Sequence, residues 1–163
     1  MLLAVMGDSH DHPQALGTAV QMAIDKGAKA LFHTGDLISA FMLEILCSFP
    51  GRIYLAKGNN DGDPLAVSRT IPQQCPQLKE YGEFIIVDFD EFRVALTHYP
   101  EHARVHAMAE DFDMVFCGHT HEFSEKTVGK TLLLNPGDIM GLYGDPSFCL
   151  VDSDTKEVKR LFI

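Results

Sequence analysis

Four short segments of this chain gather residue types that bind metal ions: Gly7-Asp8-Ser9-His10, Gly35-Asp36, Gly58-Asn59-Asn60-Asp61 and Gly118-His119-Thr120-His121. A single histidine, His98, joins them. Carboxylate, amide and imidazole donors without a thiolate suit Mn, Fe, Zn or Ni. A carboxylate such as Asp36 can bridge two ions, because each oxygen can face a different one. Two ions about 3.5–4 Å apart clamp a phosphate and lower the pKa of a shared water toward neutral, the usual apparatus for breaking a phosphate ester. Each segment alone is weak. Gly-Asp after a strand is often only a turn, and a lone histidine in an apolar setting is often a packing residue. Their order and placement together carry the reading.

Each segment follows an apolar run that reads as a strand. Leu2–Met6 precedes Asp8 and His10, Ala28–His33 precedes Asp36, and Arg52–Ala56 precedes Asn59. Between them lie helical patterns at Pro13–Lys26, with Pro13 suited to a first turn and Gly27 to a cap, and at Phe41–Cys47. Strand-helix-strand alternation predicts a parallel sheet. Asp8 and His10, at i and i+2, share a face if the segment is extended, as do His119 and His121. In open α/β sheets the carboxyl ends of strands line the ligand crevice, so five strand ends deliver seven candidate ligands to one region.

The second half changes its grammar. Glu83–Phe89 with Phe92–His98, Phe123–Val128 with Thr131–Leu134, and Ser147–Val151 with Glu157–Ile163 read as hairpins, and this half as mostly antiparallel. Glu101–Glu110 reads as a helix and Asp113–Cys117 as a buried strand. Asp63–Leu78, with three prolines, is the least regular stretch and reads as a surface excursion. Ile139–Tyr143 either lines the cleft or packs between subunits.

The whole chain sets bounds. Its 163 residues suit one domain, 1–163. No apolar run approaches a membrane span, and the N-terminal run reads as a strand rather than a signal peptide. The net charge of −10 and scattered Lys and Arg argue against a stable nucleic-acid complex. No CxxC pair occurs, and Cys47, Cys117 and Cys149 lie in apolar segments. They read as buried free thiols in a reducing cytoplasm.

The motif set resembles the calcineurin-like metallophosphoesterase family, whose signature is D-x-H, G-D, G-N-x-[D/E], H and G-H-x-H. The match runs from Asp8 to His121, and Asp11-His12 and Asn135-Pro136-Gly137 look like its small bacterial and archaeal phosphodiesterase branch. The resemblance implies an α/β fold: a four-layer α/β/β/α sandwich of two mixed sheets with flanking helices. It implies two divalent metal ions, Mn first and Ni, Zn or Fe as alternatives. One would sit on Asp8, His10, Asp36 and His121, the other on Asp36, Asn59, His98 and His119. It implies a small phosphodiester substrate and the homo-oligomers common among relatives, and the lack of a long apolar run adds the expectation of no membrane partner. Two alternatives remain: a non-catalytic scaffold, as in the retromer coat of eukaryotes, and a phosphomonoesterase.

Departures from the pattern define three further candidates. Many relatives have His where this chain has Asn60. A neutral amide can donate a hydrogen bond but cannot act as a general acid near neutral pH, so diesters with acidic leaving groups are the expected substrates. Asp61 is expected to orient a ligand or bound water from behind. His12 either replaces the missing acid or is an idle loop histidine. Tyr99-Pro100 stands where relatives often have Gly and reshapes the cleft rim. His33, His102 and His106 read as structural or surface residues, and Asn135–Asp138 as a tight turn walling the site.

Overall fold

In the computed structural model, which describes residues 1–63, 65, 67 and 75–163, the early alternation becomes β1 (Leu2–Met6), α1 (Pro13–Asp25), β2 (Ala30–His33), α2 (Met42–Leu46) and β3 (Arg52–Ala56). There follow β4 (Leu78–Gly82), β5 (Phe84–Asp88), β6 (Arg93–Thr97), α3 (Pro100–Met108), β7 (Met114–Phe116), β8 (Phe123–Val128), β9 (Thr131–Pro136), β10 (Ser147–Asp152) and β11 (Val158–Phe162). Two mixed sheets result, ordered β11-β10-β1-β2-β3-β4 and β5-β6-β7-β9-β8.

The layering follows from strand alternation. In β1, Leu3 and Val5 point one way and Ala4 and Met6 the other, and all four are fully buried. Leu3, Val5, Phe32, Tyr54 and Cys149 meet Ile85, Val94, Leu96, Met114, Phe116 and Leu134 of the second sheet in a central core. Ala4, Met6, Leu31, Ile53 and Leu55 face Leu16, Ala19, Val20, Leu43 and Leu46 of α1 and α2. On the far face of the second sheet, Ala95, Val115 and Cys117 pack against Ala103 and Ala107 of α3. This is the four-layer sandwich expected. Each large apolar side chain so buried contributes about 1.5–3 kcal/mol, which gives the strands a rigid frame from which the connecting loops project.

Helix α1 starts as its sequence suggests, with Pro13 in the first turn, and Gly27 follows its end at φ +81°. The cap itself is His12, whose Nδ1 accepts the Ala15 N–H at 3.2 Å.

Three features differ from expectation. Strand β4 pairs in parallel with β3, beginning at Leu78, the last residue of the stretch read as irregular, and running through residues to which the sequence assigned no element. Leu78 is its only buried residue, so the sequence lacks the apolar pattern that marks a strand. Residues 64, 66 and 68–74 of the expected excursion lie outside the described residues. Second, the hairpins are antiparallel, but β7 lies between β6 and β9 and runs parallel to both. The carboxyl end of β9 therefore reaches the same edge as those of β6 and β7.

Third, Cys47 is not a free thiol. It forms a disulfide with Cys75 across 28 residues, with Cα atoms 5.4 Å apart. The pairing joins the end of α2 to the entry of β4, and only their packing reveals it. Cys117 and Cys149 are free and buried. The expectation of a reducing compartment rested on free thiols throughout, and this bond removes two of the four from that argument. Among the described residues no helix is long and apolar enough to cross a membrane.

Candidate metal centre

The carboxyl ends of β1, β2, β3, β6 and β7 bring all seven expected ligands to one edge of the sandwich. Asp36 stands between two groups of nitrogens. Its Oδ2 lies 3.4 Å from His10 Nε2 and 3.6 Å from His98 Nε2. On the first side, His121 Nε2 is 3.7 Å from Asp8 Oδ1, and ligand atoms of Asp8, His10 and His121 all lie within 4.8 Å of one another. On the second, His98 Nε2 and His119 Nδ1 each lie 2.8 Å from Asn59 Oδ1 and 3.2 Å from each other. Asp8 also falls within 4.8 Å of Asp36 and His98, so its carboxylate borders both sets.

The donor chemistry fits cations. His98 Nδ1 lies 2.9 Å from the Thr34 carbonyl oxygen. A carbonyl can only accept, so Nδ1 carries the proton and neutral His98 presents a bare lone pair at Nε2. Burial, partly offset by the Asp36 charge, holds the His98 pKa below its ordinary value. That lone pair faces the Asn59 oxygen, also an acceptor, and the Asp36 carboxylate. Acceptor facing acceptor is unfavourable unless a cation lies among them. His10 tells the same story: its Nε2 is buried without a hydrogen-bond partner, and burial lowers its pKa. Asp8 is fully buried, and its pKa is pushed up to about 8, first by burial and then by Asp36.

The loops that carry these groups are bent sharply. Asp8, His10, Asp36, His119 and His121 all have positive φ, between 42° and 73°, as does the neighbouring Ile38 at 77°. Non-glycine residues rarely adopt this region, and strain of this kind concentrates at functional sites. Asp8 and His10 therefore share a site through left-handed turns rather than through an extended segment. The glycines of the motifs permit the close approach. A Cβ on Gly58 would collide with the Asp36 carboxylate and backbone nitrogen. Gly35, at φ +112°, packs against His98.

Other residues hold the ligands in place. Asn60 donates its backbone N–H to Asp36 Oδ1 at 2.8 Å and its side-chain amide to Oδ2 at 2.7 Å. Asp61 accepts the backbone N–H groups of Ile38 and Gly58 at 2.8 and 2.7 Å. It ties the Asp36 loop to the Asn59 loop rather than touching a ligand side chain. Asp11 accepts both the Ser39 N–H and hydroxyl, at 3.0 and 2.6 Å. His12 is an exposed helix cap, its Nδ1 taken by Ala15. His33 Nδ1 accepts from Gly35 N, and its Nε2 reaches Ser9 Oγ at 3.3 Å. Complete burial drives the His33 pKa down to about 3. Tyr99 packs its ring 5.1 Å from His98, 5.2 Å from His119 and 5.4 Å from His102. His106 stacks on Phe84, away from these ligands.

Asp138, read from the sequence only as part of a turn walling the site, has a role that reading did not assign. Its Oδ2 accepts from His121 Nδ1 at 2.8 Å and from Leu142 N at 2.8 Å. A carboxylate behind an imidazole fixes its tautomer and aims the other nitrogen, the usual support for a metal-bound histidine. The signal was available: Asp138 follows β9, and a parallel β9 ends at the site. Asn135 locks the Gly118–His121 loop by donating Nδ2 to Gly118 O and Thr120 Oγ1, at 2.8 and 3.0 Å.

The sandwich and the cluster of candidate metal ligands at its edge are those of a phosphoesterase fold. The chain belongs to the calcineurin-like phosphoesterase superfamily, whose domain matches residues 1–156. It is 29% identical over 167 residues to a phosphodiesterase of Methanocaldococcus jannaschii, covering 100% of this chain and 99% of that protein. A solved archaeal phosphodiesterase superposes with a TM-score of 0.92 at 26% identity, with both chains covered completely. Zinc-complexed Vps29 of Entamoeba histolytica shares the fold, with a TM-score of 0.66 at 21% identity over 100% of this chain and 98% of that one. The family implies divalent metals, and the converging carboxylate, amide and imidazole groups described above fit them.

Proposed function

We propose that the protein is a metal-dependent phosphodiesterase acting on a small diester. The observation that carries this is the complete donor set, seven side chains that converge on one edge of the sandwich, among them an unpartnered His10 Nε2 and a His98 Nε2 that faces acceptors. A scaffold of the same fold has no need of an unpartnered His10 nitrogen or of His98 facing an acceptor. Asp8, His10, Asp36 and His121 would hold one divalent cation, and Asp36, Asn59, His98 and His119 a second, with Asp36 shared. Mn²⁺ is the first choice, and Fe, Zn and Ni suit the same ligands. Such ions supply charge for the phosphate and a water acidic enough to attack it.

The protein's own residues do the positioning. Asn60 steadies both oxygens of Asp36. Asp138 holds His121 in one tautomer, and Thr34 does the same for His98. Asn60 offers no proton to a leaving group, so diesters whose leaving group departs unassisted are the preferred substrates. The test uses EDTA-stripped protein with bis-4-nitrophenyl phosphate against 4-nitrophenyl phosphate, with and without Mn²⁺. Metal-dependent cleavage favouring the diester is expected, and Asn60→His should narrow the preference. No turnover with Mn²⁺, Ni²⁺, Zn²⁺ or Fe²⁺ would move the scaffold reading to the front.

A further inference from the structure

Of the imidazoles in the cluster, His119 alone is both exposed and without a polar partner behind it among the described residues. Asp138 holds His121, and the Thr34 carbonyl holds His98. His10 has no such partner, but it is only 18% exposed and packs its ring 4.9 Å from that of His121. The backbone N–H of His119 is tied to both oxygens of Asp8, at 3.2 and 3.1 Å. That tie fixes where the side chain starts and leaves open where it points. Its Nδ1 faces Asn59 and His98 within the cluster. An exposed side chain free about its torsions spreads over several rotamers, and most of them carry Nδ1 away from that position.

Beside His119 stands Tyr99. Its ring lies 5.2 Å from the His119 ring, at an interplanar angle of 60°. The same ring is 5.1 Å from His98 at 74° and 5.4 Å from His102 at 67°. Tyr99 is thus wedged among three imidazoles, and tilted aromatic pairs at such separations attract beyond the area they bury. The wedge has a firm base. Tyr99 is half-buried and directly follows the fully buried His98 at the end of β6. It precedes Pro100, the first residue of α3, which confines residue 99 to extended backbone, as its φ of −88° and ψ of 126° show. His119, by contrast, sits in a turn at φ +73°. The junction of a strand and a helix therefore lends its rigidity to a loop residue.

We propose that Tyr99 is the positioning residue of His119: its ring confines that imidazole to the orientation that directs Nδ1 at the second cation, in place of the hydrogen-bonded partner that His98 and His121 possess. This rests on the two-ion reading above for the ligand role of His119. Two consequences set it apart from general packing. The ring acts and not the phenol hydroxyl, so Phe serves equally well. Both ligands that Tyr99 touches, His98 and His119, belong to the second ion, so its loss weakens that ion and spares the first.

Calorimetric titration of the EDTA-stripped protein with Mn²⁺ tests this, with electron paramagnetic resonance reporting the magnetically coupled ion pair. The parent should take up two ions. Tyr99→Ala should weaken one step by roughly tenfold, the step that Asn59→Ala also weakens, and change the other by less than about twofold. Its coupled-pair spectrum should need correspondingly more Mn²⁺. Tyr99→Phe should match the parent at both steps. Parent affinity at both steps in Tyr99→Ala would show that His119 is aimed without the ring, and equal losses at both steps would show a general loosening of the edge; either overturns the proposal. Tyr99→Phe as weak as Tyr99→Ala would assign the effect to the hydroxyl and overturn it too. The expected pattern in a protein that cleaves neither nitrophenyl ester would support the role of Tyr99 and sink the phosphodiesterase. A parent that binds a single ion would overturn the role of Tyr99, while cleavage of the diester would keep the hydrolase standing.

Discussion

Asp138 shows how much of a metal site lies behind its ligands. His121 could rotate about its side-chain bonds if nothing held it, and its Nε2 would then miss the neighbourhood of Asp8. The 2.8 Å bond from Nδ1 to Asp138 removes that freedom, fixes the proton on Nδ1 and leaves Nε2 bare. The same carboxylate oxygen takes the Leu142 N–H, so Asp138 is itself anchored. Asp138→Asn keeps the shape and loses the charge. Support of this kind is worth roughly 10–100-fold in metal affinity. Calorimetric titration of EDTA-stripped Asp138→Asn with Mn²⁺ should show a loss in that range, while its denaturant midpoint stays within about 1 kcal/mol of the parent. Affinity equal to the parent's would mean that packing alone aims His121.

At the scale of elements, strands deliver the ligands and glycines let the loops meet. The Gly58 loop presses directly on Asp36, and a side chain there would strike both the carboxylate and the backbone nitrogen. Relief requires the two ligand loops to separate, because the obstacle includes the Asp36 backbone nitrogen as well as its held carboxylate. Gly58→Ala should cost about 2–4 kcal/mol in urea unfolding and weaken Mn²⁺ binding. Gly144→Ala, where a Cβ would meet nothing within 4 Å, should leave both unchanged. A Gly58→Ala protein as stable as the parent would show the contact to be soft. The elements readable in the sequence were those with strong periodicity, such as β1, β3 and α1. Polar β4 gave no such pattern, and a hairpin pattern at β8–β9 could not say that β9 also runs parallel to β7. That second fact is what places Asp138. The ligand types were legible because they sit in short motifs. Their left-handed backbone was not, because residues such as Asp36 and His119 carry no local mark of a positive φ. The Cys47–Cys75 bond was hidden for a similar reason, since its partners meet only when α2 packs beside the entry to β4.

For the molecule as a whole, a cluster of buried polar groups sets how stability without metal depends on pH. Asp8 has a folded pKa of about 8, above its ordinary 3.8. The folded state therefore holds a proton that the unfolded chain has released, and stability from this group falls as pH rises from about 4 to 8. His33 works in the opposite sense. Its folded pKa is about 3, and those of His10 and His98 are also lowered from 6.5. Below about 6.5 the unfolded chain binds protons there that the folded state refuses, so stability rises with pH up to that point. Between pH 4 and 6.5 His33 alone offsets Asp8, and the lowered His10 and His98 tip the balance toward stability that rises with pH. Above 6.5 only Asp8 remains, at a slope on the order of 1 kcal/mol per pH unit. The EDTA-treated protein should thus be most stable near pH 6.5 and lose thermal midpoint toward pH 8. Mn²⁺ should restore more at pH 8 than at pH 6, because a cation takes the place of the proton on Asp8 and binding strengthens as that proton leaves. Calorimetric scans at half-unit steps, with and without Mn²⁺, decide it. A flat midpoint from pH 6.5 to 8 in the stripped protein would mean that Asp8 is already ionised when folded, its charge met by water or by the neighbouring imidazoles.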